Sequence, residues 1–320
     1  MTRHLRPFRF GVFAEGPRSR DALLGTAHRA ESSGYATLLI RDHFIEAPFG
    51  HQLAPLTALA TVAATTTKLR VGSLVFCNDY RHPTILAKEV ATLDVLSNGR
   101  MELGLGAGFS QAEYAQAGLS FDPPSVRVDR LEEAIRVLRG CFAEGPLTFM
   151  GKHYTVRALD SFPKPAQRPH PPILIGASGK RMLSIAAREA DIIGLQTTST
   201  AGGILSDDST ARLAPVVTEK IDHIKRTAGD RFDRIELSMV ATVVRSPDRR
   251  LAAERLASDR GWNGITAEQI LAMPSIFIGS PDHVVELMLA RREQYGLSYY
   301  VVFDRAMDAF APVVARLAGM

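Results

Sequence analysis

Short apolar stretches rich in β-branched residues alternate with longer helix-periodic ones along this chain, and the alternation repeats eight times. The strands are expected to start near residues 8, 36, 69, 101, 173, 191, 235 and 298. Each leads toward a segment with apolar residues at three- and four-residue spacing, the mark of a one-sided helix. Eight strand–helix pairs favour an α/β fold of the closed (β/α)8 TIM-barrel type, because an open doubly wound sheet would usually have fewer strands. At 320 residues, 46% of them hydrophobic, the chain can fill one such barrel over residues 1–320, although two medium domains would also fit.

The stretch Leu69 to Gly108 shows the pattern at its clearest. Leu69 to Phe76 has β-branched and aromatic residues and no proline, which suits a buried strand. Cys77 to Pro83 is a polar loop, and its proline suits the first turn of a helix. Leu86, Val90, Leu93 and Leu96 then form one helical face, and Asn98-Gly99 tolerates the positive φ that ends it. Met101 to Leu105 is the next strand, and Gly104, Gly106 and Gly108 open it into a loop of close approach. Both loops leave the C-terminal end of a strand, where barrels of this kind place their chemistry.

Two segments interrupt the alternation. Residues 145–172 carry six prolines and are expected to be an irregular insertion. Residues 246–275, which hold the single tryptophan, Trp262, are expected to be a second one. Residues 197–208 are rich in Thr, Ser, Gly and Asp and are expected to be a mobile loop. After Gly108 a loop carrying Tyr114 is expected.

The charge balance, 38 basic against 34 acidic residues, is mild and scattered. It argues against a nucleic-acid face and is compatible with an anionic small-molecule ligand. Cys77 and Cys141 have no partner motif, so reduced thiols and a cytoplasmic setting are expected. No secretory leader is legible, and no run approaches a membrane span. The nine histidines form no H-x-x-x-H pair and no Cys/His cluster, so no metal site is expected.

Asp42-His43 directly follows the second strand. A lone loop histidine is ordinarily a surface residue, but at a strand's C-terminal end an imidazole titrating near neutrality is a candidate acid–base group. Gly104-x-Gly106-x-Gly108 is not a Rossmann fingerprint, since its third glycine comes one residue early. Gly176-Ala177-Ser178-Gly179-Lys180-Arg181 lies between a strand and a helix, where free N–H groups bind phosphate. It lacks the Walker A spacing, and a plain turn is the alternative. Gly108 to Ala112 matches a nucleophile elbow only loosely, because the last glycine is absent.

Several of these runs together resemble the luciferase-like monooxygenase superfamily, specifically its coenzyme F420-dependent oxidoreductases. They are Asp42 to Phe44 (DHF), Tyr80 to Pro83 (YRHP), Leu86 to Arg100, Leu103 to Gly108 (LGLGAG), Ile175 to Arg181 (IGASGKR) and Ile278 to Val284 (IGSPDHV). The resemblance implies a barrel that moves a hydride between a deazaflavin and a small-molecule substrate, in a protein expected to be a homodimer. It implies that His43 faces the reactive carbon of the cofactor and that Asp42 orients that ring or its loop. It implies a non-prolyl cis peptide at Leu74-Val75 behind the deazaflavin. Asn78, just beyond, has donor and acceptor atoms suited to the pyrimidine edge. By the same match Gly106, Ala107 and Gly108 would let backbone approach the cofactor, and residues Gly176 to Arg181 would contact its phosphate. In the sugar-phosphate dehydrogenases of this family a glutamate follows the glycine equivalent to Gly108, and a tryptophan follows the Asp-His-Phe. Phe109 and Ala47 stand at those places here, which argues against glucose 6-phosphate. An FMN-dependent monooxygenase of the same superfamily is the first alternative, and a non-catalytic flavin-binding barrel is the second.

Overall fold

The structure is a computed structural model and describes residues 6–198 and 203–320. Its elements follow the expected alternation. In order they are β1 (Arg9–Phe13), α1 (Arg20–Ser32), β2 (Thr37–Ile40), α2 (Pro55–Thr65), β3 (Arg70–Ser73), β4 (Phe76–Cys77), α3 (Pro83–Leu96) and β5 (Met101–Gly106). Next come α4 (Gln111–Gln116), α5 (Pro124–Phe142), β6 (Leu147–Met150), β7 (Thr155–Leu159), β8 (Ile173–Ala177), α6 (Lys180–Glu189), β9 (Ile192–Leu195) and α7 (Ala214–Ala228). The last group is β10 (Glu236–Val244), α8 (Arg249–Asp259), α9 (Ala267–Ala272), β11 (Ile276–Ile278), α10 (Pro281–Tyr295), β12 (Leu297–Phe303) and α11 (Asp304–Leu317).

The main sheet runs β10-β12-β1-β2-β3-β5-β8-β9, and β9 pairs again with β10. That ring of eight strands is a (β/α)8 barrel. Contacts divide the chain into two compact units. One comprises Met1–Phe13, Arg29–Ala36 and Ala177–Met320; the other comprises Ala14–His28 and Thr37–Gly176. Within the second, β2, β3, β5 and β8 pair in parallel, with registers such as Leu38↔Val71 and Gly104↔Leu174. Within the first, β9, β10, β12 and β1 do the same. β5 is buried at every residue, as a strand covered on both faces must be.

Local chemistry sets the element ends. Pro83 occupies the first turn of α3, and the His82 side chain accepts from Thr84 N. Asn98 and Gly99 then adopt positive φ, 54° and 75°, and stop the helix. Ser280 caps α10 by accepting from His283 N, and Gly296 closes it in the left-handed region.

Four expectations need correction. The strand expected over Leu69 to Phe76 is interrupted at a cis Leu74-Val75 peptide, and its continuation, β4, pairs with Leu105 and Gly106. The loop after Gly108 contains the short helix α4. Residues 145–172 are not wholly irregular, because β6 and β7 form an antiparallel hairpin there. Residues 246–275 hold α8 and α9, which bury Trp262 with Ile270 and Met273 in a satellite core. Proline and polar density marked these segments as loops, while apolar burial decided otherwise. Of the expected mobile loop 197–208, residues 199–202 lie outside the described residues.

Candidate active site

β2 ends at Ile40, and the next turn delivers Asp42 and His43 at its C-terminal end. Asp42 is 4% exposed and its carboxylate is hydrogen-bonded away from the imidazole. Its two oxygens accept from Arg81 at 2.7 and 2.9 Å, and Oδ2 also accepts from the Cys77 backbone N–H at 2.9 Å. Burial works against the Arg81 charge, but the bonds and charge of Asp42 outweigh it and hold the guanidinium's pKa above its ordinary value. Asp42 therefore ties the loop after β2 to the loop after β4; orienting the ring falls to another residue. Asp42→Ala would leave a largely buried Arg81 without its carboxylate. We expect it to lower unfolding stability by about 3–5 kcal/mol, read from urea denaturation; an unchanged midpoint would show that the pair is inert.

The residue that holds the ring is Glu113, in the first turn of α4. Glu113 is 1% exposed, and its Oε2 lies 2.8 Å from His43 Nδ1. Oε2 also accepts from Tyr80 Oη at 3.1 Å, while Oε1 accepts from the backbone N–H groups of Phe44 at 2.7 Å and Ile45 at 3.3 Å. Burial pushes this carboxyl up. The hydrogen bond and charge of His43 and the two backbone donors pull it down further, so its pKa lies below the ordinary value. An ionised Glu113 accepts from Nδ1–H, which assigns the tautomer and leaves Nε2 as the nitrogen with a free lone pair. Nε2 has no hydrogen-bond partner among the described residues. Phe49 lies on the imidazole at 4.4 Å between centroids, and Phe109 meets it edge-on at 5.8 Å.

Sequence reasoning missed Glu113, because the residues after Gly108 read as a loop. A signal was present: Ser110-x-x-Glu113 has the form of a helix start. Ser110 is indeed the N-cap of α4, although its side chain makes no capping bond and Glu113 turns to His43 instead.

A second polar layer supports the first. Tyr114 donates to Asp79 Oδ2 at 2.9 Å and lies 3.3 Å from Cys77 Sγ; Asp79 in turn pairs with Arg130 at 2.9 Å. Burial pushes the Cys77 thiol up to about 12, so it stays neutral. Asn78 is 2% exposed and donates to Tyr154 Oη at 3.3 Å from the β6–β7 hairpin. Its carbonyl oxygen has no partner among the described residues. The glycines of β5 have steric reasons of their own. A Cβ on Gly104 would sit 1.9 Å from Ser73 O, and one on Gly106 would sit 2.6 Å from Val75 Cγ2. One on Gly108, whose φ is +73°, would meet Tyr114 Oη at 2.1 Å. The close approach expected of these glycines is thus made in part by the chain's own cis-peptide segment.

In the other unit, the turn after β8 carries Ser178, Gly179, Lys180 and Arg181. The N-cap of α6 is Gly179, which makes no side-chain capping bond, and a Cβ there would meet nothing within 4 Å. The Lys180 side chain is 83% exposed and lies 4.0 Å from Glu219. The cation set into this turn is instead Lys220 of α7. It donates to Ser178 Oγ at 3.3 Å and Gln196 O at 2.8 Å, and burial lowers its pKa. It was not legible in the sequence because it lies 42 residues from Ser178. No group of acids, histidines or cysteines among the described residues could hold a metal ion.

Fold and site together define a (β/α)8 barrel with a histidine–carboxylate pair at the C-terminal end of a strand. Residues 4–299 match the luciferase-like monooxygenase family. An F420-dependent glucose-6-phosphate dehydrogenase of Microbacterium testaceum is 30% identical over 275 residues, 83% of this chain and 77% of that protein. An F420-dependent hydroxymycolic acid dehydrogenase of Mycobacterium tuberculosis is 34% identical over 53% of this chain and 48% of that protein. Among solved structures, an F420-dependent secondary alcohol dehydrogenase, in complex with an F420–acetone adduct, superposes with a TM-score of 0.75. It does so at 19% identity, over 97% of this chain and 98% of that one. The chain belongs to the luciferase-like monooxygenase family.

Proposed function

We propose that this chain is a coenzyme F420-dependent oxidoreductase that moves a hydride between the deazaflavin and a small organic substrate. The observation that carries the reading is His43, held through Nδ1 by an ionised Glu113 with Nε2 unpartnered among the described residues, at the rim where barrels place their chemistry. F420 is favoured over FMN because relatives at 30–34% identity are named F420-dependent.

When bound, the cofactor supplies or accepts the hydride. The protein holds the ring and manages one proton. His43 gives the proton to, or takes it from, the substrate oxygen, and Glu113 keeps the imidazole turned for that exchange. Leu74, Val75 and Asn78 would back the ring, the Asn78 carbonyl being a spare acceptor for a ring N–H. Gly106, Ala107 and Gly108 would turn backbone toward it. The donor set in the other unit suits an anion: open N–H groups at α6, Ser178, and the cations Lys180, Arg181 and Lys220. With Gly176 and Ala177 these residues would hold the cofactor's phosphate.

Titration of the purified protein tests the reading. Oxidised F420, absorbing at roughly 420 nm, should bind and FMN, at roughly 450 nm, should not. Tight FMN binding without F420 binding would favour the monooxygenase alternative; binding of neither would favour a silent barrel.

Lys220→Ala is expected to weaken F420 binding by about ten- to a hundredfold, because it removes a charge-assisted donor from a partly buried site. Lys180→Ala with Arg181→Ala should cost only a few-fold, mostly at low salt, since both side chains lie in solvent. Equal dissociation constants for Lys220→Ala and wild type would mean that Lys220 serves the turn alone.

A cytoplasmic homodimer completes the proposal. Two buried free thiols support the compartment. Ile85 and Leu96, 56% and 68% exposed on α3, support a covered face. Sedimentation at micromolar concentration tests the dimer. No described helix is long and apolar enough to cross a membrane.

A further inference from the structure

We infer that the substrate presents to His43 an uncharged alcohol or carbonyl group on an apolar, flat body, and that Phe49 and Phe109 select it. The inference rests on the oxidoreductase reading above and specifies its substrate class.

The imidazole of His43 and the phenyl rings of Phe49 and Phe109 form one cluster. Phe49 lies over the imidazole at 4.4 Å and 31°, and Phe109 stands at 5.8 Å and 73° to it. The two phenyl rings meet at 6.2 Å and 86°. These separations fall in the range where aromatic pairs attract, so the two phenyl rings brace each other and form an apolar wall against His43. The His43 side chain is 15% exposed, which leaves an opening for a substrate group but little water around it.

Charge on this side of the chain is cancelled pairwise. Arg41 packs on Phe49 at 4.4 Å and is neutralised by Glu15 at 3.3 Å. Arg81 is committed to Asp42, and among the described residues the one carboxylate on the imidazole is Glu113. A phosphate or carboxylate brought against these rings would lose hydration, and the cations described beside them, Arg41 and Arg81, are already paired with Glu15 and Asp42, which makes that loss costly. A neutral oxygen needs one hydrogen bond, and Nε2 offers one. The rest of such a molecule gains by lying on the phenyl faces.

In the oxidative direction the balance is simple. The alcohol carbon loses its hydride to the oxidised deazaflavin, and its oxygen gives a proton to His43 Nε2. The electron pair of the O–H bond becomes the C=O π bond. The alcohol is oxidised and the deazaflavin is reduced.

The probes are 1-phenylethanol as the flat neutral alcohol and glucose 6-phosphate as the charged one, both with oxidised F420. A separate titration measures acetophenone binding to cofactor-free protein by calorimetry. We expect kcat/KM for 1-phenylethanol to exceed that for glucose 6-phosphate by at least about a hundredfold, two tenfold steps from two ring contacts. Phe49→Ala and Phe109→Ala should each lower it on the order of tenfold, chiefly through KM, and weaken acetophenone by a similar factor. Phe49→Leu and Phe109→Leu should restore most of the loss, because they keep apolar volume. A higher kcat/KM for glucose 6-phosphate overturns the inference while leaving the oxidoreductase reading intact. Acetophenone affinity unchanged in both alanine variants overturns it whatever F420 does. Failure of F420 to bind sinks the oxidoreductase reading, and the acetophenone titration still decides this one.

Discussion

His43→Ala is expected to lower single-turnover hydride transfer by about 10²–10⁴-fold, the usual contribution of a positioned acid–base group. Hydride transfer to a carbonyl builds charge on oxygen, and the reverse step must remove a proton from it. In the proposed mechanism His43 does both, because Nδ1 is occupied by Glu113 and Nε2 has no hydrogen-bond partner among the described residues. F420 affinity should fall only a few-fold, since the imidazole is one contact among many, so the loss belongs to kcat. The measurement is stopped-flow with the cofactor saturating. A variant that transfers hydride at the parent rate would make His43 a packing residue against Phe49 and Phe109, with water as the proton source.

Glu113→Gln is expected to cost roughly a hundredfold in the same step, by analogy with carboxylates that orient histidines at metal centres. The amide can still accept from Phe44 and Ile45 N–H through one oxygen. It must then set its NH₂ against His43 Nδ1–H and the Tyr80 hydroxyl, both of which donate to Oε2 in the parent. The imidazole is left to turn or to change tautomer. The diagnostic is a kcat loss with an unchanged dissociation constant for F420; a pure loss of stability with a normal rate per folded molecule would count against orientation.

The same substitution has a pH signature. The folded-state pKa of Glu113 lies below the ordinary 4.5 because its donors outweigh burial. A carboxyl depressed by folding contributes stability above about pH 4.5 and loses it as the pH falls through the lower folded value. Wild type should therefore lose stability on that acid limb, and Glu113→Gln should show a flatter curve there. Identical acid limbs would mean that the donors do not favour the ionised form.

Much of this molecule could be read from local pattern. All eight barrel strands begin within a residue or so of where periodicity places them, because a strand buried on both faces must be a short apolar run bounded by turn residues. The ends of α3 follow from Pro83, Asn98 and Gly99, each of which acts on its own backbone. His43 was legible as a candidate because it sits one turn beyond a legible strand. Local pattern failed where burial competes with composition. Residues 145–172 look like loop by proline count, yet Val156 and Tyr154 are buried and the hairpin forms.

The pairings that turn candidates into a site were decided only by the tertiary structure. Glu113 meets His43 across 70 residues, and Lys220 meets Ser178 across 42. Asp42, adjacent to His43 in the chain, faces Arg81 instead. Adjacent in the chain, the two side chains reach different partners, Arg81 and Glu113, because the loop after β2 is held from two sides at once. Which carboxylate an imidazole finds then depends on how β2, β5 and the helices after them stack, and that is set by core packing rather than by any residue near His43.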